Sequence, residues 1–172
     1  MLFRSNRLYI ADMYNNRVLM YNSIQTADSA SADVVIGQQN MTSNAVNQGG
    51  SVGGNTLCHP SSVFTDTVKI LVCDRYNNRV LIFNNPPSAN NTAADLVIGQ
   101  PNLASNTANS GGVSAKSLYY PRIGWSGSGI LFISDYMNNR VLRYNIVPSS
   151  NYALADIVIG QPNMTSNAAN NY

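Results

Sequence analysis

A chain of 172 residues is long enough for one domain with a sizeable core, yet only 10% of it is charged, against roughly 25% in ordinary soluble chains. Ten Lys and Arg residues face eight Asp and no Glu, a formal net charge of +2, which excludes the strong acidic or basic field that draws nucleic acid or a membrane surface. Cys58 and Cys73 are too few for a disulfide framework and form no CxxC pair, so two buried free thiols are expected, and no stretch approaches the roughly 18 apolar residues of a membrane span.

In chain order, residues 1–4 read as the tail of an apolar run. Leu8 to Tyr21, LYIADMYNNRVLMY, then gives two strand-like runs around an Asn-Asn turn, and Asp33 to Gln38, DVVIGQ, gives another run that ends in an Asn- and Ser-rich connection. Pro60 opens a second set: SSVF, then ILVCDRYNNRVLIF from Ile70 to Phe83, then DLVIGQ from Asp95 to Gln100. Pro121 opens a third: RIGW, then LFISDYMNNRVLRY from Leu131 to Tyr144, then DIVIGQ from Asp156 to Gln161. The spacing from Asp12 to Asp74 to Asp135 is 62 and then 61 residues. Runs of four to six residues rich in Val, Ile, Leu and Tyr, bounded by Asn, Asp, Gly and Pro, are strands, and a fixed period marks a repeat architecture. Four antiparallel strands per unit, each unit covering its neighbour, predict a β-propeller.

The thrice-repeated D-x-x-N-N-R-V-L after an apolar strand resembles the signature of the NHL repeat. The resemblance covers nearly the whole chain. It implies an all-β propeller of NHL type with about three four-stranded blades: blade 1 about 1–38 and incomplete, blade 2 about 60–100, blade 3 about 121–161, with long Asn/Ser-rich connections between them. NHL propellers usually have six blades, so about half of one is expected here. Because the first residues align inside an innermost strand and the last within a connection, the chain is expected to be a fragment whose partners are the remaining blades of a parent propeller. A homodimer closing a six-bladed ring is the lesser expectation, because it lacks two complete inner strands.

The repeated Asp12, Asn16 and Arg17, Asp74, Asn78 and Arg79, and Asp135, Asn139 and Arg140 are expected to be scaffold. Asn suits a tight connection, and an Asp and an Arg five residues apart can meet across the mouth of a hairpin. The same is expected of Asp33, Asp95 and Asp156. The sequons at Asn40, Asn90 and Asn163 read as polar-loop consensus rather than glycan sites. Binding candidates lie where one unit differs from the others: His59 before Pro60, Tyr119 and Tyr120 before Pro121, Arg122 and Trp125 in the inner strand, and Arg75 at a hairpin tip. No catalytic constellation, metal set or cofactor motif is read.

The expected function is a noncatalytic interaction module taking a protein, peptide or glycan on its loop face, with extracellular or periplasmic placement favoured by composition and resemblance. Two alternatives follow from the resemblance: a propeller enzyme, lyase- or lactonase-like, whose metal site is completed by other blades, and an RNA-binding domain. The scattered basic residues make the nucleic-acid reading the weaker of the two.

Overall fold

The computed structural model describes residues 2–4, 6–66, 68–127 and 129–170. The described chain is all-β and forms three antiparallel four-stranded sheets, each paired in sequence order. The first holds β1 (Leu2–Arg4), β2 (Arg7–Asp12), β3 (Arg17–Tyr21) and β4 (Val34–Ile36). The second holds β5 (Pro60–Thr65), β6 (Ile70–Asp74), β7 (Arg79–Phe83) and β8 (Leu96–Ile98). The third holds β9 (Pro121–Gly127), β10 (Ile130–Asp135), β11 (Arg140–Tyr144) and β12 (Ile157–Ile159). The first strand of the first sheet has 3 described residues, against 6 and 7 in the others.

The sequence sets the central hairpins by the same device in each sheet. A single 3-10 turn follows the Asp, over Met13–Asn15, Arg75–Asn77 and Tyr136–Asn138. The next residue turns the chain back with positive φ: 53° at Asn16, 55° at Asn78 and 51° at Asn139. Asn takes this left-handed conformation more readily than other side chains, because its short amide bonds locally. The turn brings Asp12 opposite Arg17, Asp74 opposite Arg79 and Asp135 opposite Arg140 in the strand register.

The sheets lie face to face. Tyr9, Val18, Met20 and Ile36 of the first meet Ile70, Val72, Leu81, Phe83 and Val97 of the second in one apolar cluster. The alternate residues of the second, Leu71, Cys73, Val80, Ile82 and Ile98, meet Leu131, Ile133, Leu142 and Tyr144 of the third. The second sheet is therefore buried on both faces, which is why its strands are apolar at almost every position rather than alternating. The first strands of the second and third sheets, β5 and β9, adjoin, with the Ser61 hydroxyl donating to the Pro121 carbonyl at 3.3 Å.

Outer edges are covered by the following unit. The Val35 N–H of β4 donates to Asn90 Oδ1 at 2.9 Å, and the Val97 N–H of β8 donates to Asn151 Oδ1 at 2.9 Å. The Asn90 sequon residue thus blunts a sheet edge that would otherwise pair at random. Asn40 and Asn163, the other two sequon residues, accept backbone N–H groups two residues on, from Thr42 and Thr165. On the far face of the third sheet, Ile157 and Ile159 are 39% and 49% exposed, and Arg143 stands where the second sheet has the buried Ile82. No helix among the described residues is long and apolar enough to cross a membrane.

Cys58 and Cys73 are buried and not joined in a disulfide. Burial and then the nearby Asp74 carboxylate push the Cys58 thiol up from 9.0 to about 11. A thiol-specific reagent at pH 8 should therefore modify the folded protein at least about tenfold more slowly than the denatured chain, because the thiolate is the reactive form. Between pH 9 and about 11 the unfolded chain releases this proton while the folded chain keeps it, so stability falls as the pH rises through that window. Denaturant midpoints measured across it check the sign. Equal labelling of folded and denatured protein at pH 8 would contradict the burial.

Candidate functional site

The repeated polar residues form two kinds of lock. Within a unit, the Arg79 Nε–H donates to Asp74 at 2.8 Å, and its Nη groups donate to the carbonyls of Leu103, Gly53 and Thr56 at 2.5, 2.9 and 3.0 Å. Arg140 repeats this with Asp135, Met164, Ser114 and Ser117. Arg17 repeats the core of it with Asp12 and the Met41 carbonyl. One guanidinium therefore ties a hairpin to the long connections that pass it, and those connections are pinned without regular structure of their own. Burial pushes the Asp74 and Asp135 carboxyls above their ordinary range. The partner arginines, together with the Cys58 and Tyr119 N–H groups and the amides of Asn77 and Asn138, pull the other way.

Between units, the left-handed Asn reaches forward. Asn16 Oδ1 accepts the His59 N–H at 2.9 Å while its Nδ2 donates to the Asn44 carbonyl. Asn78 Oδ1 likewise accepts the Tyr120 N–H at 3.1 Å, with its Nδ2 on the Asn106 carbonyl. His59 and Tyr120 both have positive φ, 51° and 52°, immediately before a proline. A non-glycine residue there costs about 1–2 kcal/mol, and the following proline disfavours helical backbone further. The Asn acceptor of the preceding sheet holds each in place, and strain of this kind collects where a side chain must be aimed.

The aimed side chains meet the hairpin tips. His59 stacks on Tyr76 with ring centres 4.5 Å apart, Tyr76 stacks on Tyr120 at 4.9 Å, and Tyr120 meets Tyr119 edge-on at 4.8 Å. Tyr14 closes the near end against His59 at 6.0 Å. The Arg75 guanidinium lies 5.4 Å from the rings of Tyr76 and Tyr120 and 5.8 Å from that of Tyr136. The exposed Arg122 guanidinium lies 5.4 Å from the same Tyr136 ring. Each cation–ring contact contributes about 0.5–1 kcal/mol where exposed and more where desolvated. The result is one continuous aromatic and cationic row across all three sheets, at the end where β5 and β9 begin and the central hairpins turn.

Of the binding residues expected from sequence, the structure brings together His59, Tyr119, Tyr120, Arg122 and Arg75. Trp125 is separate: its backbone pairs with Phe132, farther along β9, and its side chain lies outside the described residues. Tyr14, Tyr76 and Tyr136 were not expected. They are 81%, 41% and 53% exposed. Large rings in a polar turn were the available signal, but they stood at the unassigned positions of the repeated signature. Among the described residues, no three His, Cys, Asp or Glu side chains gather as a metal set.

No protein-family model matches the chain, and no curated protein matches it either.

Proposed function

We propose that the chain is a noncatalytic interaction module built as part of an NHL-type β-propeller, and that it takes a protein, peptide or glycan ligand on the face carrying the row from Tyr14 to Arg122. Three sequential four-stranded meanders stacked face to face, with their first strands adjoining, support the propeller architecture. The observation that carries the binding reading is the row itself. Exposed tyrosines, a histidine and two arginines are assembled from three units by backbone held in a costly conformation, and the fold needs none of those rings for its core.

Peptide and glycan arrays probed with the protein and with Tyr76→Ala test this reading. A ligand retained by the protein and weakened at least about tenfold by the substitution is the expected result, since buried interface tyrosines commonly contribute more than about 1–2 kcal/mol. Array ligands that ignore the substitution, or metal-dependent turnover of a lactone with no array ligand, would move the function to another face or to the enzyme reading.

A further inference from the structure

We propose that the Arg75–Arg122 end of the row docks an extended acidic peptide segment, an assignment that rests on the interaction-module reading above. The faces of the central rings are already in use. His59 and Tyr120 both stack on Tyr76 and make no ring contact with each other, which places them on its opposite faces. The guanidiniums of Arg75 and Arg122 lie 5.8 and 5.4 Å from the Tyr136 ring centre. A nucleobase needs a free aromatic face to stack on, and both faces of Tyr76 are taken.

What remains outward are ring edges, phenol hydroxyls and guanidinium N–H groups. Aromatic edges are the positive part of the ring quadrupole, and guanidinium is a fork of donors matched to carboxylate. The surface is therefore rich in donors and positive in potential, and it lacks counter-charge. The nearby carboxylates Asp12, Asp74 and Asp135 are held by Arg17, Arg79 and Arg140. Among the described residues, neither Arg75 nor Arg122 forms an ion pair or a side-chain hydrogen bond, and Arg75 Nε is buried without an acceptor. The weak net charge of +2 makes this a local feature rather than part of a general polyanion surface.

An extended peptide places alternate side chains on one face about 6.6 Å apart, so carboxylates two residues apart can reach two guanidiniums that lie beside a single ring. Its backbone carbonyls supply acceptors for the tyrosine hydroxyls between them.

The test is fluorescence anisotropy of a labelled decapeptide of alternating Glu and Ser, beside its Gln-for-Glu counterpart, short oligogalacturonate and single-stranded oligouridylate. The Glu peptide should bind, more weakly at high salt, and the Gln peptide should bind at least about tenfold less. Arg122→Gln, at an exposed position where folding is not at risk, should weaken the Glu peptide about tenfold or more at an unchanged melting temperature. Arg75→Gln should weaken it as much, with a melting temperature lowered by the loss of its three ring contacts. No binding of the Glu peptide, equal binding of the Gln peptide, or binding indifferent to both substitutions overturns the assignment. A preference for galacturonate or oligouridylate that depends on the same arginines also overturns it, while leaving the interaction module standing. The array experiment with Tyr76→Ala reports on that broader reading independently.

Discussion

Arg79→Ala is expected to destabilise the protein by about 3–5 kcal/mol, because it leaves a carboxylate uncompensated in a fully buried site. Asp74 and Arg79 are both 0% exposed, and three backbone carbonyls lose their donor at the same time. Against a total stability of about 5–15 kcal/mol for a domain, that loss is a large share of the fold. The three equivalent pairs provide an internal control. Arg17 and Asp12 keep 17% and 25% exposure, so Arg17→Ala should cost only about 1 kcal/mol, near the range of solvent-screened pairs. Urea midpoints of the two variants measure the ratio. Equal losses would show that burial is not what sets the strength of this lock.

Gly99→Ala is the second large effect. Gly99 has φ +89°, which L side chains rarely adopt, and an added Cβ would sit 2.6 Å from Leu118 Cδ1 and 3.0 Å from the Asn78 carbonyl oxygen. Left-handed backbone costs about 1–2 kcal/mol and overpacking a filled core about 1–3, so a loss of about 2–5 kcal/mol is expected. Gly160 occupies the same place in the third unit with φ +87°, but its nearest neighbour is the Asn139 carbonyl oxygen at 3.3 Å and no leucine packs there. Gly160→Ala should therefore show the backbone part alone, about 1–2 kcal/mol. Thermal melts of the two variants separate the terms. If Gly160→Ala costs as much as Gly99→Ala, contact with Leu118 is not the source of the difference.

The hairpins were legible in the sequence because everything that fixes them is local. The Asp, the Asn-Asn turn and the Arg lie within six residues, and their cross-strand pairing follows from one turn geometry. The three sheets were legible because the period repeats their boundaries. The row of rings was only half legible. His59, Tyr119, Tyr120, Arg122 and Arg75 stood out as departures from the repeat, but Tyr14 and Tyr76 share one repeat position and so do not differ between the first two units. Their contacts also join residues dozens of positions apart in different units, through a left-handed turn at His59 and Tyr120 that residue type does not advertise. Trp125 also stood out as a departure from the repeat, but its backbone position along β9 separates it from the row.

The forward reach of Asn16 and Asn78 has a consequence for symmetry. Each lock has an acceptor on the trailing side of one sheet and a donor at the leading strand of the next, so the two faces of a unit are complementary to each other and neither is complementary to itself. Any further unit that meets the uncovered face of the third sheet through this chemistry must do so head to tail, presenting its leading edge to Asn139. A twofold pairing of identical faces would set acceptor against acceptor. Assembly by this route is heterologous and either closes as a ring or continues as a filament, with the rotation per sheet deciding between them.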